Sequence, residues 1–177
     1  LDKWKFSHKE LAEGRKTEDD GPEQKLLVVV WITETDRLSV PIEDEKFEKR
    51  AETPRHVVQQ QAALFDPIGI IAPFILLGRK WTQSSMVDEW SWDKKLLAAV
   101  EEGFNKWTAS IHLLRKLSIP RAWDTPETVG GKEQLHIFSD ACLTGFGTVA
   151  YRRVVGETGV VRVVFLKGNS HVTPKNA

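Results

Sequence analysis

Two runs near the C-terminus constrain this chain most: Leu135-His136-Ile137-Phe138-Ser139-Asp140-Ala141 and Gly145-Phe146-Gly147-Thr148-Val149-Ala150-Tyr151. The first reads as a strand that ends in a carboxylate, the second as a glycine-punctuated return strand, and Val160–Leu166 supplies a third. Hairpin turns join them, so the expected sheet is antiparallel. Side chains alternate along a strand, which puts His136 and Phe138 on one face and Leu135 and Ile137 on the other. No helical pattern follows to cover such a sheet, so its apolar side chains are expected to stand exposed and the piece to need further residues for stability. Beyond Asp140 the only acidic residue is Glu157, in the turn-like Gly156-Glu157-Thr158-Gly159. Asp140 is therefore the one carboxylate in this region that a strand can present.

The remaining composition is that of a soluble globular protein: 177 residues, 41% hydrophobic and 28% charged. The longest apolar run, Ile68–Leu77, is interrupted by Gly69 and Pro73 and falls short of the roughly 18–20 residues a membrane span needs. The charged opening Leu1-Asp2-Lys3-Trp4-Lys5 has no apolar region behind it, which argues against a signal peptide, and a start at Leu1 suggests an excised piece. A single cysteine, Cys142, excludes an intrachain disulfide and fits an intracellular, cytoplasmic setting. Net charge is zero but unevenly spread. Arg152, Arg153, Arg162, Lys167 and Lys175 against Glu157 give +4 beyond Asp140, leaving −4 for residues 1–140. A basic C-terminal piece is compatible with phosphate contacts, and Arg152, Arg153 and Lys167 are its candidate nucleic-acid ligands.

Along the chain, Ser7–Gly14 is a short helical candidate and Arg15–Pro22 an exposed loop. Leu26–Ile32 is β-branched and too short for a typical helix. After Thr33-Glu34-Thr35-Asp36-Arg37 the chain returns as Leu38–Ile42, a hairpin, and a mixed-charge link runs from Glu43 to Glu52. Thr53-Pro54 is a helix start, with threonine as N-cap and proline at the first helical position. Val57, Val58, Ala62, Leu64 and Phe65 stripe this helix until Asp66-Pro67-Ile68-Gly69 breaks it. A second helix is expected from Pro73, burying Phe74, Leu77 and Trp81, and a third carries Leu96, Leu97, Val100, Phe104, Trp107, Ile111 and Leu114. Ser118-Ile119-Pro120-Arg121 ends it. The expected class is α+β, divided as 1–52 hairpin and link, 53–125 helices, 126–133 linker and 134–177 sheet.

Few other residues carry chemistry. Tryptophans can stack on bases, but Trp81 and Trp107 lie on apolar helical stripes and are expected in the core. Glu101 and Glu102 are adjacent, point in different directions around a helix and make a poor metal pair. Cys142 has no nucleophile motif around it, and the five histidines have no metal-ligand spacing.

In this order of elements the chain resembles, from about Leu26 to Pro174, the pol polyprotein of BEL/Pao-type LTR retrotransposons, between the end of the reverse transcriptase palm and ribonuclease H. Ala62-Ala63-Leu64-Phe65-Asp66-Pro67-Ile68-Gly69-Ile70-Ile71-Ala72-Pro73-Phe74 is similar to the family's Ser-x-Phe-Asp-Pro-Leu-Gly-x-x-x-Pro-Phe signature. Trp31–Leu38 resembles its Trp-x-Pro-Glu-Thr-Asp-x-Leu hairpin, Ile119-Pro120-Arg121 recurs, and Leu135–Ala141 with Gly145–Tyr151 is similar to the opening of ribonuclease H. The chain departs from the pattern at Val28, where glycine is usual. Asn169-Ser170-His171-Val172-Thr173-Pro174 stands where Lys-Ser-Arg-Val-x-Pro is usual.

The resemblance implies that Lys25–Ile42 is the hairpin near the primer terminus, 53–115 a thumb or connection region, and 134–177 an incomplete ribonuclease H-like sheet. Asp140 would be the first metal-binding, catalytic carboxylate. It also implies Mg²⁺ in the intact parent, acting as a pair about 3.5–4 Å apart held by several carboxylates, with little bound by this piece alone. The implied partner is an RNA–DNA hybrid or DNA template–primer. Members are often described as retrotransposon peptidases, yet the chain contains no Asp-Thr-Gly or Asp-Ser-Gly, and no Tyr-x-Asp-Asp polymerase turn. Three readings stay open: a fragment or degenerate reverse transcriptase–ribonuclease H that is inert alone; a host-retained module binding a protein through helices 53–115; and a nuclease completed by downstream sequence or a second chain.

Overall fold

A computed structural model describes residues 23–26, 29–86 and 91–174. The helical candidate Ser7–Gly14, the loop Arg15–Pro22 and Trp90 lie outside the described residues. The observed class is α+β, as expected. An antiparallel sheet of β1 (Glu23–Leu26), β2 (Val29–Ile32), β3 (Arg37–Ser39) and β4 (Ile119–Pro120) comes first. The helices α1 (Pro54–Ala63), α2 (Ala72–Ser85) and α3 (Ala98–Thr108) follow, with a 3₁₀ segment at Ile111–Lys116. A second antiparallel sheet holds β5 (Lys132–Cys142), β6 (Gly145–Val155) and β7 (Val161–Val172) in that order.

The N-terminal hairpin forms, but Leu26–Ile32 is not one strand. β1 ends at Leu26 and pairs back on β2, with Leu26 opposite Val29. The return through Thr33–Thr35 places Asp36 in the left-handed region, φ 49°. Its carboxylate accepts hydrogen bonds from Trp31 Nε1 at 3.0 Å and from Arg121 Nε at 2.5 Å and Nη2 at 3.2 Å. The Arg121 guanidinium also stacks 5.0 Å from the Trp31 ring centroid. This bidentate, ring-stacked clamp holds Ile119–Pro120 beside β3 as a fourth strand across more than 80 residues of chain. Local pattern reads Ile119-Pro120-Arg121 only as a helix stop, since the strand exists by virtue of its distant partner.

α1 starts as expected: Thr53 is extended and its hydroxyl accepts from His56 N at 3.4 Å, with Pro54 in the first turn. The helical core gathers Val57, Ile71, Ile75, Val100, Phe104, Trp107, Ile111 and Leu114. Two aromatic–glycine contacts set the approach of α2 and α3. Trp107 of α3 lies over Gly78 of α2, and Trp81 of α2 lies over Gly103 of α3. A Cβ added at either glycine would come within 2.5 Å or less of the facing indole. Glycine inside a helix costs about 1 kcal/mol against alanine, a cost offset here by the large aromatic surface each notch admits. Trp107 is only 6% exposed, stacks on Phe74 with centroids 4.9 Å apart, and donates its Nε1–H to Phe74 O at 3.1 Å.

Leu77 and Leu97, expected on the buried face, are instead 50% and 63% exposed. Ile75 and Gly78 take the inward positions on α2, and α3 begins only at Ala98, so Leu97 is its cap and turns outward. Phe65 is exposed as well, because α1 ends at Ala63.

The second sheet is covered only in part: Leu135, Ile137, Phe138 and Val163 stand 58–63% exposed, as its sequence suggested, but a helix does lie along one strand. α2 and the loop before it pack on β7. Gly168 N donates to Ile68 O at 2.9 Å, and the buried Ser170 Oγ donates to Ala72 O at 2.7 Å. Gln83 Nε2 reaches Thr173 O at 2.8 Å, and Arg79 bonds Ser170 O. The segment before β5 is packed too. Thr128 is fully buried in a turn closed by Thr128 N to Thr125 O at 2.9 Å, and a Cβ on Gly156 would lie 1.9 Å from Glu127 O.

Two substitutions test this packing. Trp107→Ala should cost about 3–5 kcal/mol in urea unfolding, because it opens a large cavity and removes the indole hydrogen bond to Phe74 O. Gly69→Ala should cost about 2–5 kcal/mol. Gly69 sits at φ +84°, and its added Cβ would lie 1.9 Å from Gly168 O, so left-handed strain and overpacking act together. A midpoint within experimental error of the parent in either case would mean that the contact is absent in solution.

Candidate functional site

The loop that seats the sheet is the Phe65-Asp66-Pro67-Ile68-Gly69 run. The Asp66 carboxylate accepts three backbone N–H groups, from Gly69 at 2.8 Å, Ile70 at 2.9 Å and Ile71 at 2.7 Å. These donors lead directly into α2. Aspartate is suited to this because one carboxylate offers several acceptor sites to converging amides at a helix entry. The signature is therefore a docking element: it shapes the turn that puts Gly69 against Gly168.

Between this loop and the sheet lies a cleft of about 580 Å³ with an apolar floor. Phe138, Tyr151 and Phe165 form its aromatic row, with edge-on ring contacts at 6.2 and 5.9 Å between centroids. Ile70, Pro73 and Leu76 form the facing wall. Asp140 lies at the mouth. It shares the face of Phe138 and Cys142, stands opposite Gly147 in the ladder, and is exposed. Its Oδ1 accepts the Ala141 N–H at 2.9 Å.

β5 is an edge strand among the described residues, so Asp140 does not lie at the middle of the sheet they form. No group of three or more histidine, cysteine or acidic side chains able to hold a metal occurs among the described residues. A two-metal centre needs several oxygen donors around each ion, and the same-face neighbours of Asp140 on β5 and β6 are Phe138, Cys142 and Gly147, with no second acid among the residues lining the cleft. The donor set present in the described residues therefore does not fit such a pair.

The basic candidates do not converge on Asp140. Arg152 is opposite Leu135 and Lys167 opposite Ala150, so both project from the face away from Asp140. Arg153 shares the Asp140 face, but its partner Gln134 is six positions along β5, about 20 Å away. Arg152 is also committed. It bonds both Glu133 oxygens at 2.5 and 3.0 Å, Asp124 at 2.9 Å and Trp123 O at 3.2 Å. Glu133 first and Asp124 second raise its pKa further above the arginine range. Arg153 donates to Gln134 Oε1 at 3.0 Å, and Lys167 is exposed.

Two α2 cations do lie toward the Asp140 end of the sheet: Arg79, which bonds Ser170 O, and Lys80, whose Nζ is 3.3 Å from Thr144 Oγ1. Nothing local to Lys80 signals this, because helix packing alone brings it to the β5–β6 turn. The same turn lowers the pKa of Cys142, chiefly through the Thr144 hydroxyl, then the Thr144 and Gly145 backbone, with Lys80 adding a positive charge.

A family model described as "Pao retrotransposon-like RNaseH-like domain" matches residues 53–177, more than two thirds of the chain. The chain belongs to this family. The match begins at Thr53, the N-cap of α1, and runs through both the helices and the second sheet. No curated protein matches the chain. The α+β arrangement accords with a ribonuclease H-like domain. No helix of the described residues is long and apolar enough to cross a membrane.

The lowered Cys142 pKa gives a direct check. At neutral pH its alkylation by iodoacetamide should outpace that of an unperturbed cysteine, since the thiolate is the reactive form. Thr144→Val should move the rate-versus-pH midpoint upward toward the ordinary thiol range. An unchanged midpoint would show that Thr144 does not bond the sulfur.

Proposed function

We propose that this retrotransposon-derived, ribonuclease H-like chain is a portion of a reverse transcriptase–ribonuclease H polyprotein that engages RNA–DNA template–primer but does not cut it alone. The observation that carries the proposal is the isolation of Asp140. It stands exposed two residues before the end of β5, and no group of three or more metal-holding side chains forms among the described residues. On this reading Mg²⁺ belongs to the intact parent, where Asp140 would be one of several carboxylates that hold it and the others would come from outside the described residues. This chain contributes Asp140 at the strand end, Lys80 at the adjacent turn and the aromatic-floored cleft. The hairpin clamped by Asp36 and Arg121 corresponds to the end of the palm in the same reading.

Binding of an RNA–DNA hybrid should be weak and should fall steeply with salt, because cations such as the half-buried Lys80 and the exposed Lys167 act on the phosphate backbone. Asp140→Asn should alter affinity by no more than about threefold, the scale of one exposed charge. Fluorescence anisotropy across a salt series and a Mg²⁺-dependent cleavage assay measure both. Metal-dependent cleavage abolished by Asp140→Asn would overturn the inactivity, and salt-insensitive or absent hybrid binding would overturn the nucleic-acid role.

A further inference from the structure

We propose that Arg121–Asp124 is a strut that locks the first and second sheets into one rigid body, so that Asp140 keeps a single position relative to the hairpin. The sequence places a linker at 126–133, and segments that join two units normally permit relative motion unless the contact between the units is extensive. Just ahead of it, four residues in a row are held by groups far away in the chain. Arg121 belongs to the first sheet: its N–H donates to Asp36 O at 3.0 Å, and its guanidinium grips the Asp36 carboxylate over the Trp31 ring. The next three belong to the second sheet. Ala122 O accepts from Arg162 Nη2 of β7 at 2.9 Å, and Trp123 O and Asp124 Oδ1 accept from Arg152 Nη1 of β6 at 3.2 and 2.9 Å. The Arg152 side chain is 13% exposed, so salt screens these charge-assisted bonds less than it screens a surface pair.

The lock comes from two attachments on opposite faces. Strand register puts Arg152, Val154, Arg162 and Val164 on one face of the second sheet. Gly168 and Ser170, which meet the entry loop and first turn of α2, lie on the other. The attachments are also at opposite ends. Gly168 and Ser170 pair with Val149 and Gly147 toward the β5–β6 turn, whereas Arg162 pairs with Val154 toward the turn at Gly156–Gly159. A sheet held by the α2 seam alone could pivot about it. Held at the far end of its other face as well, it cannot turn without breaking the Arg152 and Arg162 bonds. Val154 and Val164 beside those arginines are 0% and 2% exposed, Thr128 is fully buried, and Glu127 O lies so close to Gly156 that no side chain fits there. On the reading above, in which the chain engages a template–primer, the strut gives the hairpin and Asp140 one fixed spacing along it. That spacing is measurable without nucleic acid, so the lock stands or falls separately from the reading.

Nitroxide labels at Glu34→Cys and Thr158→Cys, both exposed positions, in a Cys142→Ser background report the distance from the hairpin to the far end of the second sheet by double electron–electron resonance. The parent should give one narrow distance. Arg152→Met/Arg162→Met should broaden that distribution about twofold or more, as expected when a hinge is released. A second pair, Glu34→Cys with Leu143→Cys at the seam end of the sheet, should broaden less in the same variant, which separates pivoting from general loosening. Far-ultraviolet circular dichroism checks that the variant folds, and Arg162→Met alone, which removes the bond to Ala122 O, is the milder substitute if the double variant unfolds. A broad distribution in the parent, a parental width in the folded variant, or equal broadening at both label pairs would each overturn the proposal.

Discussion

The close approach of Gly69 and Gly168 is the contact on which the rest of the arrangement depends. Two backbones meet there with a hydrogen bond from Gly168 N to Ile68 O, at a spacing that excludes any side chain. Asp66 makes the approach possible by gathering three amides into a rigid turn at the entrance to α2. Once the turn is seated, α2 lies along β7 and the bonds from Ser170, Arg79 and Gln83 follow in sequence down the helix. Without it, the helical cluster and the second sheet would share little, and each would be small for independent stability.

The same seam makes the cleft. Because α2 begins over β7, its first turn and the preceding loop become a wall facing the aromatic row of the sheet, and Asp140 stands at the opening. The clamp at the other end, Asp36 with Arg121 and Trp31, performs a parallel task on the first sheet by returning the chain to the hairpin after the helices. Charge here goes into fixing the fold as much as into binding: Arg152 spends its whole guanidinium on Glu133, Asp124 and Trp123 O. A positive residue near the end of a nuclease-like sheet is thus a structural strut.

Much of this was legible without coordinates. Threonine followed by proline marked the start of α1, the stripe from Leu96 to Leu114 marked the core, and period-two alternation with glycine turns marked β5, β6 and β7. These signals are local, since capping, amphipathic periodicity and turn chemistry each act within a few residues. The motif at Phe65–Gly69 was visible as a pattern, and its meaning was not, because Gly168 lies about a hundred residues away.

The sequence by itself determined the three helices, the three strands of the second sheet and their order, the family to which the chain belongs and the candidate status of Asp140. Tertiary structure alone decided that Leu77 and Leu97 face solvent, since helix rotation and the late start of α3 are set by the Trp107–Gly78 and Trp81–Gly103 contacts. It also decided that Ile119–Pro120 is a strand, that Lys80 accompanies the Asp140 end of the sheet, and that Arg152 and Lys167 face away from it. The reason is common to all of these. Periodicity says which residues share a face, but only long-range packing says what that face meets.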